Sequence, residues 1–340
     1  MVWAKRADGW MNIVTGFNDP ERDKRLSASF QFSPLPLEHA AWLYRGNDMA
    51  ARIVDTVPEE MLRKGFSVTI EGNASLAEKV NASIEELGVA STFHDAMRWA
   101  RALGGAGILL GADDGQKDLA QPLNLDAIRR LGWLTMLDAR ELYASTYYND
   151  PQHPKYGQPK LYAIQPSTGS GGLEGSGDPL HQVHESRIIR FEGVKLSRLE
   201  MRNNRGWGDS VLQRPNEVLR DFDTTWDAAA CLVQDFGQGV LKLAGLASVL
   251  QNDPEAFKAR MQAMDMTRSL LRMMVVDAGS GEDFERKPTP ISGPPELLDR
   301  FCNRLAAAGR IPVTLLMGQA PAGLNATGES DLRGFYDHVA

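Results

Sequence analysis

Chemistry, if this 340-residue chain performs any, has to come from six histidines, two cysteines and one glycine cluster. His181 and His184 lie three apart with Glu185 behind them, a donor set that suits a divalent metal. The segment between them has strand character, however, and no third ligand follows at a useful spacing. A structural or surface histidine pair is expected there, and no metal. Gly104-Gly105-Ala106-Gly107-Ile108-Leu109-Leu110-Gly111 invites comparison with a phosphate cradle. Such a cradle follows a strand, opens a helix and carries Gly-Lys-Ser/Thr; here the glycines precede a strand and that triplet is absent. Close backbone packing where a helix passes into a buried strand is the better reading. Cys231 and Cys302 fall on helical patterns as small buried thiols, suited to a reducing cytosolic compartment. These residue types point to no catalytic group and no cofactor.

The surrounding composition is that of a globular chain: 43% hydrophobic and 24% charged, enough for a sizeable core and about two domains. No apolar run approaches the roughly 18 residues a bilayer span needs, and the N-terminus lacks an apolar signal-peptide core. A net charge of −7 argues against gripping nucleic acid over a broad surface, which takes clustered Lys and Arg. It does not argue against letting DNA slide past. Residues 1–36 read as a polar, surface-lying arm. Ala40, Leu43, Tyr44, Met49, Ile53 and Val57 then recur at helical spacing, broken at Gly46-Asn47 and stopped at Pro58. Residues 66–70 alternate like a half-buried strand. Helices follow over 74–87, with Leu76, Val80, Ile84 and Leu87 on one face, and over 92–103. Strands at 133–137, 143–148, 160–164 and 187–191 form a β-rich subdomain, with a Gly/Ser hairpin tip at 168–177.

Asp209 or Ser210 is placed to cap the longest helix, with Pro215 in its first turns. Leu219, Phe222, Trp226, Ala229 or Ala230, and Val233 form its apolar stripe, and Glu217, Asp221, Asp223 and Asp227 its opposite face. A strand at 240–243, a helix from Asp253-Pro254 and a strand at 272–277 make an insertion before the next helix. That helix opens at Ser292-Gly293-Pro294-Pro295-Glu296 and carries Leu297 or Leu298, Phe301, Leu305 and Ala308 inward. Its alanine-rich end stops at Gly309, expected in the left-handed conformation, and Pro312 keeps it from resuming. A short apolar run, a Gly/Asn-rich turn and a helix led by Thr327 complete a rigid corner.

Several stretches, taken in order, resemble the portal proteins of tailed bacteriophages. They are Leu43-Tyr44-Arg45-Gly46-Asn47-Asp48-Met49-Ala50 with Ile53-Val54-Asp55, Glu60-Met61-Leu62-Arg63-Lys64-Gly65-Phe66, Arg101-Ala102-Leu103-Gly104-Gly105-Ala106 and Tyr156-Gly157-Gln158-Pro159. His184-Glu185-Ser186-Arg187, Gly206-Trp207-Gly208-Asp209-Ser210, Ile311-Pro312-Val313-Thr314-Leu315-Leu316-Met317-Gly318 and Gly323-Leu324-Asn325-Ala326-Thr327-Gly328-Glu329 follow. The resemblance, over about residues 37–335, implies an α+β portal fold and a closed ring of about twelve identical subunits. It implies a wing over 37–208, stem helices over 209–236 and 293–310, a strand–helix–strand clip over 237–292 and a return to the wing over 311–340. Family members continue into a tunnel loop and crown, so the sequence is read as truncated before both. The implied role is a channel at one capsid vertex, assembled in the host cytoplasm and carried in the virion, with no membrane involved. Double-stranded DNA passes through without sequence specificity. The implied partners are the terminase large subunit, head-completion or adaptor proteins, and the major capsid or scaffolding protein. Glu217, Asp221, Asp223, Asp227, Glu296, Arg300, Arg304 and Arg310 are the expected channel lining, and Gly309, Pro312 and Gly318 the stem–wing hinge. Over 209–236 six acids face two arginines, Arg214 and Arg220, as suits a wall that must not hold phosphate tightly.

Related phage sequences have also been associated with enzymes that destroy cyclic-nucleotide defence signals and look like two-histidine phosphoesterases. That chemistry needs two His-x-Thr/Ser pairs. Only His184-Glu185-Ser186 fits, so a structural, non-enzymatic protein is expected.

Overall fold

The computed structural model describes residues 32–165, 181–234, 237–242, 283–288, 294–318 and 329–339, with Glu255 and Lys258 as single helical positions. The expected arm up to residue 31, the Gly/Ser tip, the strand at 272–277 and the Thr327 helix lead fall outside them. The chain divides into two units after Gln213.

In the first unit, Asn47 both ends α1 (Leu37–Gly46) and begins α2 (Asp48–Leu62). Its N–H donates to the Leu43 carbonyl while its side-chain oxygen accepts from Ala50 N at 2.9 Å, so the expected break is a shared cap. Pro58 does not stop α2, which runs through it to Leu62. A proline lacks the N–H that would serve the carbonyl four residues back, here Val54. Arg101 fills the gap, donating Nε to Val54 O at 2.9 Å and Nη2 to Ile53 O at 2.7 Å. Burial pulls the Arg101 guanidinium down to about 10, the cost of placing it between helices.

Residues 66–70, expected as a strand, have no neighbouring strand among the described residues. The Asn81 side-chain amide takes the neighbour's place, accepting from Val68 N at 2.9 Å and donating to Val68 O at 3.0 Å. Asn81 lies on α3 (Ala74–Glu86), which packs on α4 with Val80 and Ile84 half-buried and Leu76 exposed. Helix α4 (Val89–Leu103) ends on Gly104 in the left-handed conformation (φ 89°) and turns directly into β1 (Gly105–Asp113), as the glycine cluster led one to expect.

Strand β1 is the centre of an antiparallel sheet, flanked by β2 (Arg130–Asp138) and β6 (Ile188–Glu192). A second antiparallel sheet is β3 (Leu142–Tyr147), β4 (Pro159–Ile164) and β5 (His181–His184). Helix α4 covers the first sheet and packs on α1 and α2, enclosing Ile53, Val54, Ala96, Ala100, Leu103 and Ile108. Burial of each large aliphatic side chain is worth about 1.5–3 kcal/mol.

Two distant motifs meet at the α4–β1 junction. A Cβ on Gly105 would overlap the Trp207 indole, and one on Gly104 the Gly208 carbonyl. Trp207 fills that space, 1% exposed, with Nε1 donating to Leu142 O at 2.6 Å. The glycines thus serve close packing between the 101–106 and 206–210 segments, which no spacing rule connects. The loop after β1 is locked by Arg187, 0% exposed, whose Nη2 lies 2.6 Å from Asp114 Oδ2 and whose Nε donates to Gln121 O at 2.9 Å. Burial pushes the Asp114 carboxyl up, but hydrogen bonds from Asn124, Arg187 and Gln116 outweigh it and leave it below the usual range. A short helix α5 (Arg198–Asn203), closed by a Ser197/Glu200 capping box, leads to residues 206–213.

In the second unit α6 (Asn216–Gln234) packs against α7 (Pro294–Gly309). Strand β7 (Gly237–Lys242) pairs antiparallel with β8 (Asp283–Pro288). Strand β8 lies beyond the strand read at 272–277, which falls outside the described residues. Helix α8 (Val313–Met317) follows α7 and packs on it, and α9 (Glu329–Val339) ends the described chain.

Candidate functional site

The charged residues singled out by sequence gather on α6 and α7. Helix α6 starts at Asn216, directly after Pro215. Asp209 instead bridges to Val194, and Ser210 Oγ accepts from Leu212 N at 3.0 Å, capping a turn. Glu217 stands in the first turn, where the helix dipole favours an acid. Val218, Leu219 and Phe222 are buried, while Trp226 meets Phe222 edge-on at 5.9 Å between ring centres and stays 48% exposed.

At about 100° per residue, Glu217, Asp221, Asp223 and Asp227 fall within an arc of about 160° opposite the apolar stripe, with Glu217 and Asp221 on one flank of that arc and Asp223 and Asp227 on the other. The flank of Asp221 is the one turned to α7, since Arg304 Nη1 lies 3.8 Å from Asp221 Oδ2. On α7, Glu296, Arg300 and Arg304 stand four residues apart in one exposed row. Leu305 and Ala306 point inward and are buried. Cys231 is exposed and Cys302 half-buried, so the expectation of two buried thiols fails for the first. Burial, with Asp299 nearby, raises the Cys302 thiol.

The corner is built one residue later than the sequence suggests. Gly309 is the last helical residue, and Arg310 takes the left-handed conformation, φ 54°. Ile311 N donates to Ala306 O at 3.1 Å and Arg310 N to Ala307 O at 3.3 Å, the paired bonds of a Schellman ending. The glycine is one step too early, because the pair of bonds closes over the alanine turn and puts residue 310 at the strained position. Pro312 does not end helix formation; it starts α8 in a new direction, at a position where no N–H is needed. Gly318 (φ 65°) closes α8 in the left-handed conformation. Ile311 and Leu316 are buried, at 2% and 1% exposed. An open groove of about 750 Å3 runs between this corner and Asp331, Phe335 and His338 of α9.

His184 is buried, its pKa lowered by that burial, with Nδ1 2.9 Å from Ser186 Oγ and accepting from Ser186 N at 3.2 Å. The His-x-Ser unit is the cap of a single turn between β5 and β6. Among the described residues no three of His, Cys, Asp and Glu are grouped to hold a metal, and no helix is long and apolar enough to cross a membrane.

The sequence model of one family, Phage portal protein, matches residues 39–340. Two relatives carry the name Anti-CBASS protein Acb1. One, from Caulobacter sp. (strain RHG1), is 29% identical over 97% of this chain and 53% of its own length. The other, from Sphingomonas paeninsulae, is 26% identical over 98% of this chain and 53% of its own length. The chain thus spans about half the length of these relatives. In fold it is similar to a chain in the neck of an empty GTA particle, a structure computed with C6 symmetry. The TM-score is 0.51, with 17% identity, covering 87% of this chain and 75% of that one.

Proposed function

Because this chain belongs to the phage portal protein family, we propose that it forms the wall of a ring at one capsid vertex, through which double-stranded DNA is packaged and ejected. The observation that supports this reading most is the α6–α7 pair, which packs together with Leu219, Phe222 and Leu305 buried and leaves Glu217, Asp227, Glu296, Arg300 and Arg304 exposed. Such a mixed, acid-rich wall repels and releases phosphate instead of gripping it, and DNA passes without being read. In the proposed ring of about twelve copies, closed head to tail, α6 and α7 are the stem helices and residues 37–208 the wing. Residues 237–292 are the clip that docks the terminase large subunit and, later, head-completion proteins. The corner at Gly309, Pro312 and Gly318 links channel wall to wing. The ring sits in the virion after assembly in the host cytoplasm. Negative-stain microscopy of the purified chain tests the ring: closed particles are expected, and a monomer that stays monomeric with capsid-assembly partners present counts against it. Deletion of residues 244–287 is expected to abolish terminase binding with the wing still folded; retained binding removes the clip assignment.

A second reading comes from the relatives' name, an anti-defence protein. As a two-histidine phosphoesterase the chain would need two His-x-Thr/Ser units, and its six histidines supply a single one, at His184. Incubation of the purified chain with cyclic dinucleotides is expected to give no turnover. Turnover abolished by His184→Ala would establish the second reading instead.

A further inference from the structure

Away from the helix pair, the first unit holds a pocket of about 420 Å3 between β3, β4, the 148–158 turn and α5. Arg190 forms its floor, with Nη1 donating to Tyr162 Oη at 2.7 Å, Nη2 to the Gly206 carbonyl, and the guanidinium 4.8 Å from the centre of the Trp207 ring. Its Nε is buried without a hydrogen-bond partner among the described residues. On the wall, Arg198 and Arg202 stand one turn apart on α5, each laid over a tyrosine. Arg198 is 4.8 Å from the centre of Tyr156, and Arg202 is 5.1 Å from that of Tyr147. Stacking fixes each guanidinium plane and leaves its N–H edge free for a bidentate acceptor.

The two carboxylates lining the pocket are already engaged, Glu192 with Arg190 at 2.9 Å and Glu185 with Lys155. Among the described residues no carboxylate pairs with Lys195, Arg198 or Arg202, and all three are exposed. Three uncompensated cations converge on one concavity in a chain whose net charge is −7. The backbone is shaped for it. Gly157 and Gly206 have φ of 79° and 88°, and a Cβ on Gly157 would run into the Arg198 side chain.

We propose that this pocket binds an acidic, extended peptide segment of a protein partner, with its carboxylates held by Arg198 and Arg202 and its apolar atoms against Leu196 and Met201. Charge complementarity selects the acid, and bidentate geometry suits a carboxylate. Nucleic acid fits less well. A duplex is too wide to enter, and arginines already cover tyrosine faces on which single-stranded bases would stack. The inference is independent of the ring.

The test is fluorescence anisotropy of a labelled hexaglutamate peptide titrated with the full chain at low salt, beside a labelled DNA duplex. Saturable peptide binding is expected. Arg198→Gln with Arg202→Gln should weaken it by about tenfold or more, as loss of two charge-assisted pairs implies. Arg129→Gln with Arg130→Gln, removing equal charge at the start of β2, should change it by less than about twofold. If the first pair of substitutions lowers the melting temperature, Lys195→Gln, at the exposed rim, replaces it with an expected loss of about threefold. No peptide binding, equal loss in both double variants, or tighter duplex binding abolished by the same substitutions would each overturn the proposal.

Discussion

In residues 32–213 the arginines that matter for the fold turn inward: Arg101 serves two helical carbonyls, Arg187 a buried aspartate, and Arg190 a tyrosine and a carbonyl. In the described part of residues 214–339 the charged residues stay outside. Glu217, Asp227, Glu296, Arg300 and Arg304 are exposed, and Asp221 of α6 and Arg304 of α7 stand 3.8 Å apart. The same side-chain chemistry therefore does two jobs. Buried, a guanidinium satisfies acceptors that would otherwise be costly. Exposed, it adds little stability and sets the character of a surface. Substitution in the first unit should unfold structure, whereas substitution in the second should alter the surface with the fold retained.

The largest effect tests the buried side of this contrast. Arg187→Ala strands Asp114 and the Gln121 carbonyl, and breaking a buried pair by removing one partner costs about 3–5 kcal/mol. Hydrogen exchange of the β1 and β6 amides should report that loss. Arg187→Met combined with Asp114→Leu should cost much less than the single change, because no charge is then left unpaired. A single variant as stable as the parent would mean the clamp is ornamental.

Arg101→Met comes next. It leaves the Val54 carbonyl without a donor, at about 1–3 kcal/mol. Pro58→Ala restores the missing N–H, so it should recover part of that loss in the Arg101→Met background and do far less in the parent. Additive effects of the two changes would break the proposed link between proline and arginine.

These two arginines also mark how far the sequence could be read. Helical period, the Gly46-Asn47 break, the glycine-to-strand junction and the strands at 133–137, 160–164 and 187–191 were legible, because each depends on local pattern. What was not legible depended on a partner far along the chain. Nothing near Pro58 announces that Arg101 will donate to the Val54 carbonyl left without a partner. Nothing near Val68 announces that Asn81 will stand in for a neighbouring strand. At the candidate site, the charged residues were identifiable by type. Their place opposite the apolar stripe of α6 follows from helical period alone. The left-handed residue at the corner was misplaced by one, since glycine preference was allowed to outweigh the bond pattern that puts Arg310 there.

That misplacement gives a prediction of opposite sign. Arg310 sits at φ 54° without glycine's freedom, and relief of a left-handed non-glycine residue is worth about 1 kcal/mol. Arg310→Gly should therefore stabilise the α7–α8 corner, read as slower hydrogen exchange at Ile311 and Leu316. If Arg310 also lines the channel, the same variant should package DNA differently while being more stable, which separates a role in the corner from a role at the surface.

The smallest expected change is the sharpest check on the exposed side. Arg304 is 59% exposed and its 3.8 Å approach to Asp221 is long for an ion pair, so Arg304→Ala should cost no more than about 1 kcal/mol, a difference that added salt should shrink further. Were the loss instead comparable to that of Arg187→Ala, α6 and α7 would be joined by their charges and not by Leu219, Phe222 and Leu305. The two units would then use arginine in the same way. A near-zero cost leaves the charged row on α7 free to be selected for what passes along it, and variants at Glu296, Arg300 and Arg304 would then measure function directly, uncomplicated by unfolding.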